Sequence, residues 1–241
     1  MKKLLMGVGF FAIAAVITSA TASASACSTG TNLLSQYVAN PTTAPSGGLS
    51  SSGTFSCQIA PLNFSNFSYL LDAGSFTVSP LDVSVESATV SGGEATLLFD
   101  PNITESSDLE LEDQVTGGVG GVDLAWNGSG TGFVNEVVCT VFTSTGVCPS
   151  ADQLAILNVN AAGAFATAYN GGTSSTVGGV ASVVFATSQS EVWIFKNINS
   201  GNTPFSEVEQ SYLVAVPEPI TLSLLGTGLL GLGLMRRHHR K

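Results

Sequence analysis

The acids of "DPNITESSDLELEDQ" are the densest candidates for chemistry: Asp100, Glu105, Asp108, Glu110, Glu112 and Asp113. Hard oxygen ligands at this density suit calcium, but the D-x-N-x-T spacing lacks the glycine and closing glutamate of an EF-hand loop. A solvated acidic loop that blunts a strand edge is the plainer expectation, and no metal site is assigned. Between residues 27 and 216 there is no histidine and no arginine, and Lys196 is the one lysine. A Ser-His-Asp or Cys-His centre is therefore impossible there. No phosphate-binding or zinc-protease motif occurs. A glycosidase-type carboxylate pair would lack the basic neighbours that tune such acids. No catalytic residue and no cofactor are assigned, and the expectation is a protein that is not an enzyme. Trp126 and Trp193 could stack on sugars, but both sit on alternating strands, where tryptophan more often packs inward.

Four cysteines remain: Cys27, Cys57, Cys139 and Cys148. An even count suits two disulfides in an exported protein, and four cysteines allow three connectivities. "CTVFTSTGVC" reads as a strand, a turn at Ser144, Thr145 and Gly146, and a return, which favours Cys139–Cys148. Cys27–Cys57 then ties the first segment to the sheet. Zinc is the rival, but no C-x-x-C pair exists and both histidines lie beyond residue 236.

The 241 residues are 44% hydrophobic and only 10% charged, against roughly 25% charged in ordinary soluble domains. Six of the seven basic residues lie outside residues 27–216, which hold 16 acids and a net charge of about −15. Nucleic acid is excluded as a partner, because its recognition needs a basic footprint.

Two segments read as addresses. "MKKLLMGVGFFAIAAVITSATASASA" has two lysines, an apolar run and Ala24-Ser25-Ala26, the pattern of a signal peptide cut by signal peptidase near Ala26. A lipoprotein signal ending at Cys27 is the lesser alternative, since Ala24 stands where a larger aliphatic residue is usual. Residues 220–235 carry no charge over 16 positions, about 24 Å as a helix. That is a short transmembrane helix in the inner membrane. Pro217 and Pro219 keep it from starting earlier, and the basic end, 236–241, holds it at the cytoplasmic face.

Val216-Pro217-Glu218-Pro219, the short apolar run and the arginine cluster together resemble the PEP-CTERM sorting signal. The resemblance implies an exported protein of a bacterium that makes extracellular polysaccharide. It also implies processing near Pro217, Glu218 and Pro219 by an exosortase-type membrane protease. The same tail is catalogued as the C-terminal domain of ice-binding proteins, but no Thr-x-Thr ladder supports ice binding. "CQIAPLNFSNFSY" and Glu209-Gln210 are also similar to one group of PEP-CTERM proteins, without any activity attached.

Period-two alternation separated by Gly-, Ser- and Asn-rich turns predicts about a dozen strands between the addresses. "EATLLFD" aligns Ala95, Leu97 and Phe99. "VDLAW" aligns Val122, Leu124 and Trp126. "EVWIFKNIN" sets Val192, Ile194 and Lys196 opposite Trp193 and Phe195. "SEVEQSYLVA" turns Val208, Tyr212 and Val214 inward. "QLAILNV" and "VASVVFA" are apolar on both faces, as buried central strands are. In "LNFSNFSYLL" the phase inverts, and a bulge near Ser65 and Asn66 would return Leu62, Phe64, Phe67, Tyr69 and Leu71 to the core. Only "TNLLSQYVAN" suggests a short helix.

The expectation is all-β, an antiparallel β-sandwich of jelly-roll type over residues 27–215, between a signal helix (1–26) and a sorting tail (216–241). In function it is an exported envelope or matrix protein with a structural or binding role and exopolysaccharide as a partner. A carbohydrate-binding module with a defined sugar site is the alternative, and a secreted hydrolase a further one.

Overall fold

The computed structural model describes residues 25–27, 32–34, 56–71, 84–91, 93–100, 108–128, 130–143, 147–201 and 205–215. The expected signal helix, the expected transmembrane helix, Leu71's side chain and residues 35–55 lie outside what is described. Among the described residues no helix is long and apolar enough to cross a membrane.

Among the described residues thirteen strands form in chain order: β1 (Ser25–Ala26), β2 (Asn32–Leu33), β3 (Ser56–Ile59), β4 (Leu62–Leu71), β5 (Ser84–Ser91), β6 (Glu94–Asp100) and β7 (Asp108–Gly128). They continue with β8 (Phe133–Cys139), β9 (Gln153–Asn160), β10 (Gly163–Ala168), β11 (Thr173–Val177), β12 (Val180–Asn199) and β13 (Phe205–Val214). The all-β expectation holds. Two separate stacked sheets do not: the strands join one 13-stranded sheet, with the order β10-β9-β8-β12-β7-β13-β6-β5-β2 along its main path. All pairings are antiparallel except β1 with β3.

The physical reason lies in two long strands. β7 has 21 residues and β12 has 20, several times the usual strand length, so each runs through more than one layer. Along one edge β7 pairs first with β4, over Leu109 to Thr116, then with β13, over Val119 to Gly128. The change falls within "TGGVGG". Gly117 has φ +116°, and a Cβ there would sit 2.5 Å from the Pro61 carbonyl oxygen. A Cβ on Gly121 would sit 2.4 Å from that of Val183. Only glycine permits these approaches. β12 breaks register with β7 at the same level, between Val184, Gln189 and Glu191. Strands that bend from layer to layer leave no seam between two sheets.

The curled sheet faces itself. Phe64 on β4 meets Tyr212 on β13 edge to face, ring centres 5.2 Å apart, and Phe99 on β6 lies against Lys196 on β12. The inward positions Ala95, Leu97 and Phe99, then Val122 and Leu124, and Val208 and Tyr212 are buried as the alternation predicts. Each large buried side chain contributes roughly 1.5–3 kcal/mol. The phase inversion in β4 is a bulge: register with β7 shifts between Ser65 and Ser68, Asn66 takes φ +55°, and Leu62, Phe64, Phe67 and Tyr69 are all buried.

One local expectation is corrected, and another falls mostly outside the described residues. Of the short helix expected over "TNLLSQYVAN", Asn32 and Leu33 pair with β5, Leu34 takes a 3-10 turn, and residues 35–40 lie outside the described residues. "VASVVFA" is buried on one face only. Ala181, Val183 and Phe185 point inward, while Val184 is 47% exposed beneath the β11 hairpin, which covers the strand's edge and not its face.

Candidate functional site

Both expected disulfides form. Cys27 joins Cys57 and Cys139 joins Cys148. The first pins the start of the body to β3, where the Cys27 amide also donates to the Gln58 carbonyl at 2.9 Å. The second closes the excursion after β8, where the Thr143 amide donates to Val147.

Residues 101–107 of the acidic stretch lie outside the described residues, and from Asp108 on it is strand and not loop. Its second half opens β7, and alternation sends Asp113 into the core, where it is 1% exposed. Lys196 lies diagonally across from it on β12, two positions past Asp113's register partner Ile194 and in phase with Val192 and Ile198, and is fully buried. Its Nζ lies 3.3 Å from Asp113 Oδ1 and 3.5 Å from Oε2 of Glu136, its direct cross-strand neighbour on β8. The Tyr212 hydroxyl donates to Asp113 Oδ2 at 3.0 Å. The Phe99 ring lies 5.6 Å from the ammonium, and Gln210, also fully buried, sits beside Glu136. Strands β12, β7 and β8 thus bring one cation and two carboxylates together in the dry interior, with Tyr212 and Gln210 of β13 and Phe99 of β6 against them. Among the described residues no group of acids, histidines or cysteines could hold a metal.

Burial raises the Glu136 carboxyl to about 7. The Lys196 ammonium opposes that rise, the Asp113 charge adds to it, and the Gln210 amide favours the charged form. The amide's pull is weak, since neither Glu136 oxygen has a hydrogen bond of ordinary geometry. Burial, reinforced by the Asp113 and Glu136 charges, holds the Tyr212 hydroxyl well above its usual range, so it remains a donor.

The Glu136 shift has a consequence for stability. Between pH 4.5 and about 7 the folded chain keeps a proton on Glu136 that the unfolded chain has released. The stabilisation is complete below pH 4.5 and is lost as the pH rises through 7. Its size is on the order of 3 kcal/mol. Melting temperature is expected to fall over this interval, and to lose that dependence in Glu136→Gln. The same slope in the variant would show that another group titrates.

The opposite face of the same strands is polar and aromatic. Phe165, Asn158, Asn135, Asn197 and Glu110 are successive register partners on β10, β9, β8, β12 and β7, so they form one row across five strands. Asn158 donates to Asn135, and Asn197 donates to Glu110 at 3.4 Å. Asn160, Phe133 and Asn199 make the next row. Asn160 donates to Asn158 at 2.9 Å. A cleft of about 480 Å³ opens at this end, lined by Phe133, Asn135, Asn158, Asn160 and the 130–132 turn. Phe165 is 59% exposed. At the other end, Glu191 Oε1 accepts from Trp193 Nε1 at 2.8 Å and from Gln114 Nε2 at 2.6 Å. The two tryptophans, read as more often inward-packing than sugar-stacking, follow that reading: Trp126 packs against the core and Trp193 is half-buried, edge-on to Phe142. The exposed ring is Phe165, which sequence reading passes over.

A family model for the PEP-CTERM protein-sorting motif matches residues 215–240. The chain carries a PEP-CTERM sorting motif. Such a motif implies export and a membrane-anchored intermediate that an exosortase, itself a membrane protease, processes for the envelope or extracellular space. The PEP-CTERM match begins where the last strand ends. β13 closes at Val214, whose amide donates to Gly93, and the Ala215 amide donates to Gly118 at 2.9 Å. Pro217, Glu218 and Pro219 follow within the match and lie outside the described residues. No curated protein and no solved structure matches the chain.

Proposed function

We propose that this chain is an exported envelope or matrix protein whose polar sheet face binds polysaccharide and which catalyses no reaction. The five-strand row of Asn158, Asn135 and Asn197 flanked by Phe165 and Glu110 carries this reading. Amides present a donor and an acceptor side by side, as vicinal hydroxyls do, and an exposed ring offers an apolar surface to a sugar's C–H face. The cleft's volume falls within the range of small-ligand sites. A body of net charge about −15 repels uronate-rich chains, so the fitting ligand is a neutral or amino-bearing polysaccharide. Against catalysis stands Lys196: the one basic residue between residues 27 and 216 is buried and leaves no cation to tune a surface carboxylate.

Signal peptidase cleavage near Ala26 suits the fold. It removes β1, while the Cys27–Cys57 disulfide and the Cys27–Gln58 hydrogen bond still hold the new terminus. Exosortase then acts near Pro217, Glu218 and Pro219.

Affinity electrophoresis through neutral polysaccharides tests the binding. The Asn135→Ala/Asn158→Ala double variant is expected to bind at least about tenfold more weakly, the loss of one or two hydrogen bonds, with its melting temperature little changed. Equal retardation of variant and wild type, or none for either, would contradict the reading.

A further inference from the structure

The buried cluster holds more than an ion pair requires. A lysine amine, a carboxylate to receive it, a second carboxylate touching the same nitrogen and a hydroxyl on the far oxygen meet in one dry site. We infer that Lys196 and Asp113 condense to an intramolecular amide with loss of one water, Glu136 carrying the proton between them.

Asp113 is the acceptor because its Oδ1 lies nearer Nζ than Glu136 Oε2 does, and because Tyr212 already donates to its Oδ2. A proton passes from the Lys196 ammonium through Glu136 to Asp113, leaving a neutral amine and a neutral acid. The nitrogen lone pair attacks Cγ, and the N–C bond forms while a carbonyl pair moves onto Oδ2, which the Tyr212 hydroxyl stabilises. Glu136 takes a proton from the nitrogen and returns it to Oδ1. The Cγ–Oδ1 bond breaks and water leaves. Ammonium and carboxylate become amide and water, Glu136 ends as it began, and nothing is oxidised or reduced.

The setting favours each step. Packing supplies the proximity that a bimolecular amidation lacks. Phe99 and the Phe64–Tyr212 pair wall the site against water. The amide also removes two buried charges that the interior holds at a penalty. The raised proton affinity of Glu136 suits a group that takes up and gives back a proton near neutrality. The product staples β7 to β12 across 83 positions of sequence.

Intact mass of the full chain, folded oxidatively and then reduced and alkylated, tests this directly. Wild type is expected to fall short of its sequence mass by one water, and chymotryptic mapping to yield a branched peptide joining Lys196 to Asp113. Asp113→Ala is expected to keep the full mass. The isosteric Glu136→Gln is expected to condense roughly a hundredfold more slowly or worse. Folded wild type at full mass would overturn the inference, whether or not the variants fold. A branch to Glu136 in place of Asp113, or wild-type speed in Glu136→Gln, would overturn the roles given to these residues.

Discussion

Lys196→Met is expected to destabilise the folded body by on the order of 3–5 kcal/mol, a fall in melting temperature of about 10 °C or more at this size. Methionine fills much the same space, so what is lost is the charge and the inferred amide rather than packing. Asp113 and Glu136, 1% and 0% exposed, would face each other with no cation between them. Acid should soften the defect, because Glu136 readily takes a proton. The triple variant Asp113→Asn/Glu136→Gln/Lys196→Met removes all three charges and should recover much of the loss. It also removes the proposed amide, so it should remain below the wild type by the value of that staple. Denaturant unfolding followed by the fluorescence of Trp126 and Trp193 measures all three proteins. A single variant within 1 kcal/mol of wild type would mean that the cluster does not hold the core as described.

The pattern that buries Lys196 is legible in "EVWIFKNIN", where it shares a face with Val192 and Ile194. Its partners are not. Asp113 reads as one acid among six in a polar stretch, and Glu136 as a lone charge in a short strand. Only strand register brings them to Lys196, and register between distant strands leaves no local mark. The asparagine row is hidden for the same reason, since Asn135, Asn158 and Asn197 become neighbours only through pairing. The β4 bulge is legible because a phase inversion within one strand is a local signal. The bend in β7 is not, because glycines at 117, 118, 120 and 121 look alike whether they end a strand or fold one over. Disulfide pairing follows from the short span between Cys139 and Cys148, which fixes the other bond by exclusion. The sorting motif is the most legible element because its residues act as a linear signal.

The second large effect concerns that signal. Replacing Pro217, Glu218 and Pro219 together with alanine should abolish sorting and leave membrane insertion intact. The apolar run 220–235 is untouched, and each lysine or arginine beyond it still resists the bilayer centre by about 2.5–3.5 kcal/mol. From the sequence, two prolines are expected to keep the chain extended just before that run, within reach of a membrane protease. Alanine removes both this shape and the recognised side chains. Ending the chain after Val216 should act differently. The last strand closes at Val214, so the truncated body should fold and escape into periplasm or medium.

The deciding measurement is the location and intact mass of the triple-alanine variant beside wild type in cells that carry the exosortase. Uncut variant is expected to accumulate in the inner membrane while wild type is shortened near Pro-Glu-Pro and leaves it. A variant cut and released as efficiently as wild type would instead reduce residues 215–240 to a plain membrane anchor.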